Sequence, residues 1–285
     1  MNRLTTIAMS GVLMMGAVAC GSSSGGDSGG ASAAAKDPKA CADGKTLTKG
    51  TLTIATGEPA FPPYVIDDTK PESGEGFEAA VAMAVAREMG FDAATVKWVR
   101  TGFDDAIAPG PKDFDFNLQQ YTINAERAKA VSFSAPYYTA AQAVVGLADS
   151  PAAASGDIKA MKLGVAAKTT SLTYVNDTIK PAVAAQVYDD NSAAVQALQS
   201  NQIDGIVADL PTAIYLANVE LTGAKLFGQI EGSGSDQFGL LLAKDSALVS
   251  CVNGALANLT KSGELTTITT KWMSDFSAAP VIKLG

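Results

Sequence analysis

From Thr51 the chain begins to alternate. Thr51-Leu52-Thr53-Ile54-Ala55 sets apolar residues at every second position, the period of a half-buried strand. The next stretch, Gly57-Glu58-Pro59-Ala60-Phe61-Pro62-Pro63-Tyr64, is too rich in proline to continue a ladder and predicts a rigid aromatic loop. Between Gly76 and Gly90 the period becomes helical: Phe77, Val81, Val85 and Met89 recur every four residues with Ala80 and Ala84 beside them, and Gly90 stands where the helix should stop. Val96-Lys97-Trp98-Val99 predicts a second strand, and Phe103 to Ile107 a short helix before the Pro109-Gly110-Pro111 break. Phe114-Asp115-Phe116-Asn117-Leu118 then reads as a third, half-buried strand. Strands alternating with helices in this way indicate a βαβ series.

The pattern restarts further on, which predicts a second lobe. Lys162-Leu163-Gly164-Val165 reads as a strand, Thr169-Thr170-Ser171 as a capping-type turn, and Leu172 onward as a helix. A helix over Asn191 to Ser200 and a strand at Gly205-Ile206-Val207-Ala208 follow. That strand runs into Asp209-Leu210-Pro211-Thr212, where a proline just inside a helix start is favourable because its missing N–H would have been unpaired. Leu248, Val252, Leu256 and Leu259 return at helical spacing. Two short extended stretches, Ala140 to Leu147 and Phe238 to Ala243, bracket the second lobe as two crossings of a hinge.

The first residues change the picture of where the chain resides. Arg3, the apolar run from Ile7 to Val18, and Ala17-Val18-Ala19-Cys20 have the order of an export signal and resemble a lipoprotein lipobox, with Ala in place of the commoner Leu three residues before the cysteine. The run is too short for a mature membrane span. Residues 1–19 are therefore expected to be removed and Cys20 to carry lipid. Residues 20–45 are expected to be a tether, being Gly, Ser and Ala with little to bury from Gly21 to about Lys39, with a reach of roughly 20–25 Å. The formal charge of −8 offers no basic stripe for nucleic acid, and the absence of histidine excludes His-based triads and every His-containing zinc site. With Cys20 lipidated, Cys41 and Cys251 remain, and in an exported protein such a pair favours a disulfide over a metal site or two free thiols.

Arg127 is the strongest candidate for chemistry, because it closes Gln119-Gln120-Tyr121-Thr122-Ile123-Asn124-Ala125-Glu126-Arg127, where the chain leaves a strand and approaches a helix-prone segment. Its planar fork can grip a small carboxylate bidentately, with the Thr122 hydroxyl assisting. The competing reading pairs it with Glu126, Asp104 or Asp105 on a solvated face.

Taken together, Pro62-Pro63-Tyr64, Gly76-Phe77-Glu78, Phe103-Asp104-Asp105-Ala106-Ile107, Thr122 to Arg127, Phe133-Ser134-Ala135-Pro136-Tyr137-Tyr138, Asp209-Leu210-Pro211-Thr212-Ala213, Gly263-Glu264-Leu265 and Lys271-Trp272 resemble the polar amino-acid-binding family of extracytoplasmic solute-binding proteins. The likeness runs from Gly50 to Phe276. It implies an α/β, two-lobed periplasmic-binding-protein-like type II fold, each lobe a mixed sheet flanked by helices, joined by a two-stranded hinge. Lobe 1 would comprise 46–142 plus 238–285, and lobe 2 would comprise 143–237. By position Arg127, Thr122 and the backbone around Gln120 would take an amino acid's α-carboxylate, completed by Thr169, Thr170 and Ser171 at a helix N-terminus. Asp209 would take the ammonium, unless it only caps its helix. Phe61 and Phe103 would sandwich the side chain, unless they are plain core. Lys168 stands where the family often has glycine.

Glu58 bears on the ligand: a buried carboxylate there would favour a basic or amide side chain, with Gln119 and Gln120 narrowing the pocket. The alternative is a solvated loop glutamate. The resemblance implies no cofactor, no metal and no catalytic group, a membrane permease of an ABC importer as partner, a lipid-anchored extracytoplasmic location and a monomer. Two rival readings use the same fold: a dehydratase- or lyase-like enzyme with Glu58 as acid or base, and a ligand-sensing domain, which would call for a membrane helix or signalling segment.

Overall fold

The computed structural model describes residues 33–151, 156–273 and 279–284. The expected signal peptide, Cys20 and the tether as far as residue 32 lie outside them, as does Phe276. Along the chain, β1 (Leu52–Gly57), β2 (Val96–Thr101), β3 (Phe116–Asn117) and β4 (Val131–Ala140) build one sheet. After Ala141, β5 (Gln142–Leu147), β6 (Leu163–Ala166), β7 (Gln186–Tyr188), β8 (Gly205–Asp209) and β9 (Ala224–Ile230) build another. β10 (Asp236–Ala243) returns between β3 and β4, and β11 (Val281–Ile282) ends beside β9. The first sheet has the order β2-β1-β3-β10-β4 and the second β11-β9-β5-β8-β6-β7. Both are mixed: β1 runs parallel to β2 and β3, while β10 is antiparallel to β3 and β4; β6 runs parallel to β7 and β8, while β5 is antiparallel to β8 and β9.

The helical spacing is realised in the helix Phe77–Glu88, whose Phe77, Val81 and Val85 are fully buried in one cluster with Leu52 and Ile54 of β1; Met89 joins them just past its end. Gly76 makes its start possible. At φ 114° it brings the backbone of Tyr64 so near that a Cβ would meet the Tyr64 carbonyl oxygen at 2.4 Å. Phe77 N–H and Glu78 N–H then donate to the carbonyls of Pro63 (2.7 Å) and Tyr64 (3.0 Å), pinning the aromatic loop to the helix start.

Several expectations change. β1 is buried along its whole length rather than on alternate residues, because it lies inside its sheet with both faces covered. Phe114–Leu118 is likewise wholly buried, with strand only at 116–117; Asp115 is accommodated by accepting the N–H groups of Leu47 (2.8 Å) and Thr53 (2.7 Å). The tether does not extend to residue 45. Asp37 caps a helix at Pro38–Ala42 by accepting from Ala40 N–H at 3.0 Å, and Ala35 N–H reaches the Ser250 carbonyl at 2.8 Å. An Asp-Pro helix start, hidden in a small-residue stretch, is what docks this segment. The tail also departs from lobe 1: β11 pairs with β9, because that edge strand has backbone groups free to bond Pro280 and Ile282. Finally, the hinge crossings fall at Ala141 and at 231–235, and the extended stretches expected there lie in the sheets.

A disulfide joins Cys41 to Cys251 in the helix Val249–Ser262, with Cα atoms 5.4 Å apart. It closes a sequence separation of 210 residues, so it withdraws much loop entropy from the unfolded chain. Replacing both cysteines by serine should lower unfolding free energy by roughly 2–5 kcal/mol, read from denaturant midpoints. Neither cysteine lines the cavity described below, so ligand affinity should stay unchanged.

Candidate functional site

Between the sheets lies a cavity of about 340 Å³ whose wall is drawn from both. Of the residues predicted from the sequence, Glu58, Phe61, Phe103, Gln119, Gln120, Arg127, Thr169, Thr170, Ser171 and Asp209 line it. Thr122 does not; it is buried behind the wall, its hydroxyl 3.3 Å from that of Thr170.

Arg127 opens a short 3₁₀ turn, Arg127–Lys129, and is only 7 % exposed. Its Nη1 donates to the Thr122 carbonyl (2.9 Å) and its Nη2 crosses to the Lys168 carbonyl on the other lobe (3.1 Å). Its guanidinium carbon sits 5.3 Å from the centroid of the Phe103 ring, which is itself stacked on Tyr121. Two of the three expected surface partners are taken by other cations: Glu126 pairs with Lys129 at 2.7 Å and Asp104 with Lys168 at 2.6 Å. No ion pair joins Arg127 to a carboxylate among the described residues. Burial pulls its pKa below the usual arginine value. Neutral carbonyls and a ring orient this buried guanidinium without neutralising its charge.

Asp209 stands at the N-cap position of the helix Leu210–Tyr215 but makes no side-chain capping bond. Instead its Oδ1 accepts from Gln142 Nε2 at 2.7 Å. Burial and, after it, the nearby charge of Asp236 raise its pKa to about 7, against the opposing effects of Gln142 and Arg127. Capping is done elsewhere: Thr169 Oγ1 accepts from Leu172 N–H at 3.1 Å, while Thr170 donates to Asp236 at 3.2 Å. Lys168 takes the left-handed φ of 56° that glycine adopts freely, which turns its carbonyl toward Arg127 and leaves its ammonium on Asp104.

The buried carboxylate of the wall is Glu78, not Glu58. Glu58 is exposed at the rim, where its charge acts on Arg100, so it is not the desolvated acid the sequence suggested. Glu78 is 1 % exposed and braces the loop opposite. It accepts from Gln120 N–H (2.8 Å), from Gln120 Nε2 and from the Tyr137 hydroxyl, and so holds Gln120 in a left-handed conformation at φ 52°. One amide hydrogen of Gln120 is thus spent on Glu78. Burial raises the pKa of Glu78 to about 7, with Tyr137 and Gln120 pulling it back. Sequence reading took Glu78 only as part of a helix-opening motif; a lone acid among Phe77, Ala79, Val81 and Ala82 was the available signal. Tyr64 was also missed as a wall residue, and its hydroxyl lies 3.3 Å from that of Thr212 across the cleft.

The sequence profile of the bacterial extracellular solute-binding proteins, family 3, matches residues 52–275. This chain belongs to that family. It is 30 % identical over 236 residues to the L-cystine-binding protein TcyJ of Escherichia coli strain K12, covering 80 % of this chain and 84 % of that one. It also superimposes on an ancestral arginine-binding protein bound to arginine (TM-score 0.65, 30 % identity, 79 % of this chain and 99 % of the other). An ancestral arginine-binding protein bound to glutamine gives a TM-score of 0.66 at 31 % identity, again with 79 % and 99 % covered. The fold is therefore the type II periplasmic-binding fold, and the relatives are binding proteins rather than enzymes.

In this solute-binding protein Glu78 should leave a pH signature. Its folded pKa lies above the ordinary value of 4.5, so the folded chain holds a proton there that the unfolded chain releases. The stability it contributes is fully present below that ordinary value and is lost as pH rises toward about 7. Glu78→Gln keeps the neutral form at every pH. The stability difference between variant and wild type should therefore move in the variant's favour, by on the order of 3 kcal/mol across that window, and level off above it. Denaturant unfolding at a series of pH values reads this directly; a difference independent of pH would mean that Glu78 ionises normally.

Proposed function

We propose that this protein captures a polar amino acid, with a basic or amide side chain, between its lobes and delivers it to the permease of an ABC importer. Arg127 carries the reading: a buried cation with carbonyl partners calls for a ligand carboxylate, and Asp209 on the same wall offers the ammonium an acceptor. The choice of side chain is supported by the wall's charge. Glu58, Glu78, Asp104, Asp105, Asp189, Asp190 and Asp209 line the cavity, and Arg127 is the only cation among the described lining residues. An acid-rich cleft favours a cationic ligand, since charges there are screened less than in water. Two ancestral arginine-binding protein structures, one holding arginine and one glutamine, support that choice, whereas TcyJ, named for L-cystine, supports only an amino-acid ligand. Phe61 and Phe103 would flank the side chain, and Thr169, Thr170 and Ser171 would complete the carboxylate cradle. Lipidated Cys20 and the residues after it would hold the folded body, a monomer, near the membrane; among the described residues no helix is long and apolar enough to cross one.

A thermal-shift screen of the lipid-free protein against the twenty amino acids is the first test, since a ligand that binds only the native state raises apparent stability. Arg127→Ala should then weaken the best ligand by ~2–5 kcal/mol or more with the fold retained. Wild-type affinity in calorimetry would remove Arg127 from the site. Wild-type affinity should also fall as pH drops below about 7, where Asp209 takes up a proton and stops accepting the ammonium; Asp209→Asn should be weak and flat with pH. Separately, Cys20→Ser should abolish lipid labelling and release the protein from the membrane fraction. Unchanged labelling would refute the anchor.

A further inference from the structure

We propose that Gln142 is a positioning residue that holds the Asp209 carboxylate where a ligand's ammonium meets it, with Asp236 as the counter-anchor that aims its amide. The inference rests on the reading of Asp209 as ammonium acceptor. Gln142 is the first residue of β5, directly after the Ala141 crossing, and is 0 % exposed. It lies opposite Asp209 in the β5–β8 register. Its Nε2 donates to Asp209 Oδ1 at 2.7 Å and to Asp236 Oδ2 at 2.6 Å. Both amide hydrogens thus go to carboxylates, one at the end of β8 and one at the start of β10. The amide oxygen is buried without a hydrogen-bond partner among the described residues. Leaving it so is unfavourable, yet the opposite amide orientation would set an acceptor against two anions, which is worse. The two charges therefore dictate how the side chain points.

The backbone beneath is equally constrained. Gln142 N–H donates to Ser233 Oγ at 2.9 Å, and Ser233 Oγ lies 3.3 Å from the Gln142 carbonyl, so the two hinge crossings are tied together at this residue. Neither Gln142 nor Asp236 lines the cavity; the Gln142 side chain reaches it through Asp209, while Asp236 also accepts from Thr170 of the wall and acts on Arg127. What Gln142 prevents is visible in the local geometry. Asp209 occupies an N-cap position, where aspartate commonly folds back onto the first N–H groups of its helix, and here it makes no such bond. Without Gln142 the carboxylate is free to take that role, leaving the protein folded and the acceptor turned away.

The charged and titratable groups acting on Asp209 are Asp236, Arg127, Glu78, Tyr64 and Tyr138. Among them and Gln142, the Asp236 charge raises the Asp209 pKa and the Gln142 hydrogen bond lowers it. The two residues thus push in opposite directions, which a merely structural role would not reproduce. The test is calorimetric binding of L-arginine and L-glutamine, and of their deamino counterparts 5-guanidinopentanoate and glutaramate, to wild type, Gln142→Met and Asp236→Asn across the neutral pH range. Gln142→Met should weaken both amino acids roughly tenfold or more and leave the deamino acids within about twofold, the loss expected of one hydrogen bond to a charged group. Its acid limb should move to higher pH, and that of Asp236→Asn to lower pH. Equal losses for amino and deamino ligands, or limbs that move together, would overturn the inference. Should Gln142→Met fail to fold, the direction of the Asp236→Asn shift decides. A wild type that binds none of the basic or amide amino acids overturns the functional reading and this inference with it; one that binds while the limbs move together overturns the inference alone.

Discussion

A guanidinium enclosed between two lobes and held by neutral groups alone is the constraint around which this molecule is arranged. Arg127 could have been neutralised cheaply by Glu126 or Asp104, both within a few residues of the loops it touches, yet each of those acids is engaged by a lysine. What remains to Arg127 is two carbonyls, one from each lobe, and the face of Phe103. Such partners orient the fork without discharging it. Under the proposed function, a ligand carboxylate would interact strongly with that fork, because the protein's own cost of holding the cation is already met in folding.

The same economy governs the acids. Glu78 and Asp209 are each drawn up to about 7 by burial, so near neutrality neither is far from its uncharged form, and the wall tolerates several carboxylates around one cation. Their hydrogen-bond partners have opposite consequences for function. Glu78 spends its acceptors on Gln120 and Tyr137, rigidifying the loop that leads to Arg127. Asp209 keeps one oxygen tied to Gln142 rather than to its own helix, which keeps it from serving as a cap. Glu78 is buried behind the loop it braces and Asp209 is half-buried in the cavity wall, although in sequence both are single acids at helix starts.

Supports lie far from the chemistry as well. The segment from Ala35 to Ala42 and the disulfide clasp the helix Val249–Ser262, while β11 extends the opposite sheet. Both ends of the described chain are therefore built into the body, one on each lobe. The disulfide between Cys41 and Cys251 is the one expected from the sequence. The helix and the edge strand escaped the sequence pattern because each is short: five residues of helix and two of strand give no measurable periodicity, and edge pairing depends on which backbone groups are left free.

Periodicity and punctuation were enough to determine the alternation of strands and helices, the restart that makes a second lobe, the turn at Thr169 and the proline-led helix after Asp209. Local sequence carries these because they depend on residues a few positions apart. It also determined what could not be there: with no histidine and a net negative charge, whole classes of chemistry are excluded by composition alone. Only the tertiary structure decided which acid is buried. The apolar neighbours of Glu78 hint at burial and the proline-rich loop around Glu58 does not exclude it, so the local segments alone do not separate the exposed acid from the buried one; burial is a property of what packs from elsewhere. The partners of Arg127 and the amide that holds Asp209 were decided in the same way, because Lys168 lies 41 residues from Arg127 and Gln142 lies 67 from Asp209. Such pairs are set by how two sheets meet at a hinge, and sequence spacing carries no record of that distance.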